Sequence, residues 1–342
     1  MTTPTARTAP TARTTEAAPE AHTGPLLAGP VIGLDLGGTK IAAALIGPDG
    51  AVLARHTLPT PATEGADAVL DALRDAARAV GRDAAGLGFD RAATAVGVAA
   101  AGVVDPRSGT VTSATDTIRG WAGTALGPRL ADRTGLPVAC DNDVRATAGP
   151  ELAVTEGEQA SLLFAAVGTG VGGALACDGR MLHGAAGIAG HIGHLPSPEA
   201  VGLDCTCGGS GHLEAIASGP GITALYERLT GRATDRLQTV AERAATGDGS
   251  AVRAITTGAR AMGRALGGLA NVLGPDRVVV GGGVPGIGPL YWDALTDAFT
   301  GELMPPLRRL RPVAPLHGAD AAVLGAAALT TTAPLHRPGA LL

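Results

Sequence analysis

Residues 31–46 read Val31-Ile32-Gly33-Leu34-Asp35-Leu36-Gly37-Gly38-Thr39-Lys40-Ile41-Ala42-Ala43-Ala44-Leu45-Ile46. An apolar run ends in a carboxylate, a glycine pair follows, and a second apolar run begins. The spacing predicts a strand over 31–35, a tight glycine loop over 36–40 and a strand over 41–46. Gly47-Pro48-Asp49-Gly50 is then a turn into a third strand over 51–55. The pattern returns further on: residues 162–167 are apolar, Gly168-Thr169-Gly170 is a second glycine loop, 171–176 are apolar again, and Cys177-Asp178-Gly179 turns ahead of Met181-Leu182. Strand, Gly-Thr loop, strand and Asp-Gly turn thus occur once in each half. Two related α/β lobes, each offering a glycine loop, can clamp one polyphosphate between them.

Glycine lets backbone N–H groups approach an anion closely. Gly37 and Gly38 do this in the first loop, Thr39 adds a hydroxyl and Lys40 a positive charge, and Gly168, Thr169 and Gly170 form the second cradle. Asp35 cannot itself favour a phosphate; a carboxylate there suits Mg²⁺, which takes one or two carboxylates along with phosphate oxygens. One such loop reads equally well as a tight hairpin, whereas two in equivalent places point to a nucleotide. Neither loop is a Walker A sequence, and no Gly-x-Gly-x-x-Gly opens a helix within a βαβ unit.

The remaining periodicity gives the organisation. Val69, Leu73, Ala76 and Val80 have helical spacing, with Gly81 as the expected stop. Residues 96–100 form a buried strand ending in Ala101-Gly102. A long helix carries Val252, Ile255, Ala259, Met262, Leu266, Leu269 and Val272 on one face, residues 277–280 form a strand running into Gly281-Gly282-Gly283, and an Ala-rich helix covers 319–331. The expected domains are a disordered Thr/Ala/Pro-rich tail over 1–29, a first lobe over 30–144 joined by the 319–331 helix, a second lobe over 145–318, and an unstructured tail over 334–342. With 342 residues, 45% of them apolar, both lobes can bury a core. A net charge of −5 gives no reason to expect nucleic acid or an anionic membrane as partner. No apolar run reaches membrane-spanning length and the N-terminus lacks a signal-like apolar stretch, so a cytoplasmic protein is expected.

Two further constellations carry chemistry. Residues 137–140 lead into Asp141-Asn142-Asp143, a polar triplet ending an apolar strand. A phosphoryl acceptor hydroxyl needs a carboxylate beside it to take its proton. Asp143 fits that role, with Asn142 as a sugar-binding amide. The triplet also suits a helix N-cap, and the segment alone does not separate the two. The second constellation, His194, Cys205, Cys207 and His212, supplies two imidazoles and two thiols within nineteen residues. Four such ligands match a structural, tetrahedral Zn²⁺ site with no open position. The Gly-Gly-Ser-Gly stretch at 208–211 permits a tight wrap, so a zinc knuckle holding a sugar-facing loop is expected in the second lobe.

Assembled, these pieces resemble the ROK family of bacterial sugar kinases and repressors over about residues 31–331. The matching stretches are 35–40, Asn142-Asp143, 168–172, Gly190-His191-Ile192-Gly193-His194, 205–208, Glu214 and 281–283. The resemblance implies an actin-like ATPase fold, hexokinase-type, with two RNase H-like lobes around an interlobe cleft. It implies Asp143 as catalytic base, His194 and Glu214 as sugar-binding residues alongside His191 and Gly102, and Gly281, Gly282 and Gly283 near the adenosine. It further implies ATP, Mg²⁺ and structural Zn²⁺ as cofactors and a homodimer or homotetramer as assembly. Three positions depart from the family pattern. His212 replaces a cysteine, Thr117 replaces an asparagine ahead of Gly120-Trp121, and His191 replaces the glutamate of Ala-Gly-Glu-x-Gly-His. A neutral histidine can donate as well as accept, which suits the carbonyl of a 2-acetamido sugar. Ala189-Gly190-His191-Ile192-Gly193-His194 and the run from Glu214 to Gly219 look like bacterial N-acetylmannosamine kinases. The expected activity is therefore ATP-dependent phosphorylation of a hexose 6-hydroxyl, N-acetylmannosamine before glucose. A sugar-sensing repressor is the competing class; a DNA-binding helix-turn-helix is expected to be missing, because the thirty residues before the first glycine loop lack helical periodicity.

Overall fold

The computed structural model describes residues 29–86, 93–155, 157 and 159–339. β1 (Val31–Leu36), β2 (Lys40–Ile46) and β3 (Val52–Pro59) form an antiparallel meander, and α1 (Ala66–Gly86) returns the chain to β4 (Val96–Ala100), parallel to β1. A hairpin of β5 (Val103–Asp105) and β6 (Thr110–Ser113) and the helix α2 (Leu126–Thr134) precede β7 (Val138–Asn142), parallel to β4. The helix α3 (Asp143–Ala153) then leads to the second half. There the strands are β8 (Leu162–Val167), β9 (Val171–Cys177) and β10 (Arg180–Met181). The helices α4 (Glu214–Ala217), α5 (Gly219–Thr230), α6 (Leu237–Ala245) and α7 (Gly249–Leu273) follow. After them come β11 (Arg277–Gly281), α8 (Pro289–Glu302), β12 (Pro312–Val313) and α9 (Ala321–Thr332).

The two large sheets run β3-β2-β1-β4-β7 and β10-β9-β8-β11-β12. In each, the first three strands pair antiparallel and the last two join the central strand in parallel. The duplication read from the glycine loops therefore extends to whole sheets.

Each sheet buries both faces. One face of the first packs Leu34, Val98 and Cys140 against Leu73 and Val80 of α1 and Leu130 of α2. One face of the second packs Leu163 and Val280 against α7 and α8 through Met262, Leu266 and Phe299. The remaining faces are covered by an exchange. The helix that follows the first sheet, α3, covers the second through Ala148, against Leu162, Phe164 and Val279. The helix that follows the second sheet, α9, covers the first through Val323 and Ala327, against Val31, Ala44 and Ile46. The two helices meet at Ala146, Ala326 and Leu329. This layer is thin because three glycines remove side chains from it. A Cβ on Gly33 would overlap the carbonyl oxygen of Val323, one on Gly97 that of Ala326, and one on Gly325 that of Ala146.

Some expectations need correction. Gly81 does not stop α1, which runs to Gly86. Its packed face at 69, 73, 76 and 80 outweighs the roughly 1 kcal/mol that an interior glycine costs. β3 continues past Arg55 because His56, Thr57, Leu58 and Pro59 pair in register with Ala43, Ala42, Ile41 and Lys40; an edge strand of mixed polarity lacks an apolar signature. Val272 is 81% exposed, off the buried face of α7. The segment after Pro334 is placed: His336 exchanges both backbone hydrogen bonds with Val138, and the Gly339 N–H donates to Asp132. Of the expected tails, 1–28 and 340–342 lie outside the described residues, while Gly29, expected in the first tail, is placed and buried. No helix among the described residues is long and apolar enough to cross a membrane.

Gly97→Ala should therefore lower stability by about 1–3 kcal/mol or more, because backbone must move to admit the methyl group. Gly81→Ala, in a helix with nothing within 4 Å of the added carbon, should raise it by roughly 0.5–1 kcal/mol. Thermal unfolding of the two variants beside the parent checks both signs.

Candidate active site

The glycine loops after β1 and β8, the triplet that ends β7 and the glycines after β4 and β11 all stand at carboxyl ends of parallel strands, the usual ligand position in open α/β sheets. At the end of β7 the triplet serves both of its readings. Asn142 is the N-cap of α3: its Oδ1 accepts from the N–H groups of Val144 (3.1 Å) and Arg145 (3.2 Å). Its Nδ2 donates to the Gly102 carbonyl (3.0 Å) and to Asp143 Oδ1 (2.7 Å). All four hydrogen-bonding positions of this amide are taken, so in this arrangement Asn142 holds Asp143 and has none left for a sugar. Gly102 adopts φ +99° at the end of β4, where its carbonyl anchors Asn142.

Asp143 is the first residue of α3. Its Oδ1 also accepts from the Val144 N–H (2.9 Å). Oδ1 is thus saturated by two donors and Oδ2 is left to act on a ligand. The group keeps a little accessible surface in the cleft but is otherwise enclosed by protein. Burial pushes its pKa up to about 6; the Val144 N–H opposes this, and the nearby Asp35 adds to it. A carboxylate of that basicity is ionised at neutral pH and a better proton acceptor than a free aspartate. Burial likewise raises Asp35, against the lowering influence of Lys40.

The glycine loops are built by short backbone bonds. In the first, the Gly37 N–H donates to the Lys40 carbonyl (3.0 Å), while Thr60 donates from its hydroxyl to the Gly37 carbonyl (2.7 Å) and from its N–H to the Thr39 carbonyl (3.0 Å). A Cβ on Gly38 would meet the methyl group of the exposed Thr117 side chain, which would have to turn aside. In the second, the Gly168 N–H donates to the Gly170 carbonyl (2.9 Å), and the Gly168 carbonyl accepts from Gly219 at the start of α5 (2.8 Å). The 281–283 loop lies beside it: the Val284 N–H donates to the Val167 carbonyl (2.9 Å), and Gly282, at φ +94°, sits where any side chain would strike Val167 backbone. Val144 abuts Gly172, which brings the start of α3 to the second loop.

Glu214 lies across that loop. Its Oε2 accepts from the Val171 N–H (2.9 Å) and its Oε1 from the Thr206 hydroxyl (2.6 Å). Thr206 stands between Cys205 and Cys207, so Glu214 joins the knuckle to the glycine loop. The ligand atoms of His194, Cys205, Cys207 and His212 all lie within 4.8 Å of one another, with His194 Nδ1 3.6 Å from Cys205 Sγ and His212 Nδ1 3.3 Å from Cys207 Sγ. Burial pushes the Cys205 thiol up.

His191 and His194 stack with ring centroids 6.3 Å apart. Gly190 and Gly193 let this segment lie directly on β9, against the backbone of Gly173 and Val171. The donor role expected for His191 needs revision. Its Nδ1 is 2.8 Å from the Ile188 carbonyl, and a carbonyl only accepts, so the proton sits on Nδ1. Burial lowers the pKa of the ring, the Ile188 bond opposes this, and Arg145 and His194 reinforce it. The ring is neutral and Nε2 presents a lone pair. It can accept from a hydroxyl or an amide N–H; it cannot donate to an acetamido carbonyl.

Residues 31–333 match the ROK family. The chain belongs to that family. It is 36% identical over 301 residues to an N-acetylmannosamine kinase of Shigella flexneri, covering 87% of this chain and 97% of that protein. Among solved structures, a ROK hexokinase from Thermus thermophilus superposes with a TM-score of 0.75 at 34% identity, covering 88% of this chain and 97% of that one. A ROK-family glucokinase from Streptomyces griseus, in complex with glucose and AMPPNP, superposes with a TM-score of 0.70 at 32% identity and covers 88% and 99%. The fold is the actin-like ATPase fold of ROK kinases.

Sequence reasoning missed Thr60, Thr206, the buried Arg145 and the partly exposed His183, and gave Asp141 no role of its own. Asp141 Oδ1 meets the Arg145 guanidinium at 2.8 Å and Oδ2 meets His183 Nε2 at 2.8 Å. The spacing of Asp141 and Arg145, four apart around a helix start, was the available signal; His183 had none.

In this ROK protein Asp143→Asn should cut turnover by about 10²–10⁴-fold while changing sugar affinity only a few-fold. The rate of the parent should fall on the acid side with a midpoint near pH 6. The folded state binds the Asp143 proton more tightly than the unfolded chain. The ionised carboxylate therefore costs stability, on the order of 3 kcal/mol, above about pH 6, and the cost fades as pH falls towards 4. Asp143→Asn should accordingly raise the melting temperature at pH 7.5 and not at pH 4.

Proposed function

We propose that this ATP-dependent sugar kinase phosphorylates the 6-hydroxyl of a hexose, with N-acetylmannosamine preferred to glucose. The observation that carries this is the half-committed Asp143: Oδ1 held by Asn142 and Val144, Oδ2 open, between two glycine loops at the strand ends. Asp143 Oδ2 accepts the proton of the sugar hydroxyl as its oxygen bonds to the γ-phosphorus, while the bond from that phosphorus to the bridging oxygen breaks and ADP leaves. MgATP, when bound, supplies the phosphoryl group. The N–H groups of residues 37–39 and 168–170 would hold its phosphates and the Asp35 carboxylate its metal. Gly281, Gly282 and Gly283 would flank the nucleoside. The fit is steric as well as chemical, since Gly168 and Gly283 have nothing within 4 Å of where a side chain would begin. His191 orients the sugar by accepting at Nε2, and Glu214 and His194 complete the wall. What favours the acetamido sugar is that the Shigella flexneri relative is an N-acetylmannosamine kinase; an acceptor at position 191 suits an acetamido N–H and a hydroxyl alike. Glucose is the second reading, favoured by the Streptomyces griseus structure.

We further propose that His194, Cys205, Cys207 and His212 bind Zn²⁺. Tetrahedral bonds of ordinary Zn–S and Zn–N length put sulfur and nitrogen about 3.6 Å apart, and the two pairs stand at 3.6 and 3.3 Å. The site would keep Thr206 under Glu214.

A coupled ADP-release assay with MgATP across N-acetylmannosamine, glucose, N-acetylglucosamine, mannose and fructose tests the reading. Highest turnover on N-acetylmannosamine is expected. Turnover on glucose alone would remove the substrate proposal and keep the enzyme class. No turnover on any hexose would favour a sugar-sensing role; a ROK family transcriptional regulator also superposes on this chain, with a TM-score of 0.76 at 25% identity. Metal analysis of protein purified without chelator should return about one zinc per chain, lost in Cys207→Ala.

A further inference from the structure

The segment between β10 and His191 leaves the second lobe and rests on the first. Arg145, in the first turn of α3, holds it there. The guanidinium is 1% exposed, and it reaches three elements at once. Nε and Nη2 meet Asp141 Oδ1 at 2.9 and 2.8 Å, Nη2 also donates to the Val104 carbonyl of β5 (3.1 Å), and Nη1 donates to the Gly187 carbonyl (2.9 Å). Asp141, 4% exposed, gives its second oxygen to His183 at 2.8 Å. The Ala189 N–H donates back to the His183 carbonyl (3.1 Å). Both ends of residues 183–189 are thereby pinned to the strand end and helix start that also carry Asn142 and Asp143.

We propose that Arg145, Asp141 and His183 are positioning residues for the sugar pocket, latching residues 183–189 so that His191 meets the substrate in one place. This rests on the reading that His191 contacts the sugar. The mechanical link is direct: Gly187, held by Arg145, is followed by Ile188, whose carbonyl receives the Nδ1 proton of His191. A shift of the segment therefore moves the carbonyl that sets both the orientation of His191 and its tautomer. A buried ion pair is a poor source of net stability compared with apolar residues of the same volume. Here it supplies what apolar contacts do not, a fixed register between two lobes.

The test uses His183, which is 37% exposed on its side chain and tolerates replacement without opening the core. Parent, His183→Leu and His183→Gln are compared as full chains by calorimetric titration with the hexose the parent binds best, by KM for that sugar and for MgATP, and by melting temperature. His183→Leu should weaken sugar binding and raise sugar KM about ten-fold, the size expected for one lost hydrogen bond to a charged group. MgATP KM should stay within about two-fold. His183→Gln, which keeps an N–H for Asp141, should recover most of the loss. Unchanged sugar affinity in His183→Leu overturns the proposal. So does equal damage in both variants, or a joint fall of sugar affinity, nucleotide affinity and melting temperature. A parent that binds sugar without turnover removes the kinase reading and leaves this comparison intact; a parent that binds no hexose overturns both.

Discussion

A carbonyl oxygen of Ala146 in α3 occupies the place where a side chain on Gly325 of α9 would stand. Most of the molecule depends on that bare crossing. It lets α3 lie on the second sheet and α9 on the first, so each lobe is roofed by a helix that the other lobe's strand order delivers. Gly33 and Gly97 extend the same economy to the sheet below α9. With three side chains absent, packing is at the distance of touching backbones, where there is little room to slip. The start of α3 is therefore fixed relative to both sheets, and the start of α3 is where Asp143 sits. At its other end α3 is tied to the second lobe by Glu151, fully buried, which accepts from Arg277 and from the Leu316 N–H.

The polar groups of the cleft follow a common plan. Protein donors or acceptors occupy one side of a functional group and leave the other free. Asp143 has Oδ1 taken and Oδ2 open; His191 has Nδ1 taken and Nε2 open. The occupied half sets orientation and proton position, and the open half is free to meet a ligand. Asn142 is the exception that explains the plan: wholly committed, it is the bracket that orients its neighbour. Burial then sets strength, raising Asp143 while lowering His191, because enclosure disfavours charge of either sign.

What could be read beforehand divides along physical lines. Glycine loops and buried strands were legible because their constraints are local: Gly37-Gly38 and residues 162–167 state their conformation in adjacent letters. The cluster of His194, Cys205, Cys207 and His212 was legible because thiol and imidazole gather in few other circumstances. The duplication of the sheets was visible only at its first strands, since β11 and β12 share no obvious pattern with β4 and β7. The sequence could not announce that Asn142 points at Asp143, or that His183 reaches Asp141 across forty-two positions. The tautomer of His191 depends on one carbonyl three residues back, which propensity does not reveal. β3 beyond Arg55 was hidden by its polarity and α4 by its four-residue length, whereas α6 did carry a helical stripe, at Leu237, Val240, Ala241 and Ala244.

The bridge between His336 and Val138 has a consequence for solubility and handling. β7 is the last strand of the first sheet, and an edge strand exposes backbone groups that can recruit a strand from another chain. The segment at 335–337 covers part of that edge, and the His336 imidazole is lodged against Gly109 and Gly127, where a Cβ would collide with it. A chain cut back to the end of α9 would keep its cleft and bare that edge. Self-association through β7, rather than loss of the fold, is the hazard such shortening introduces.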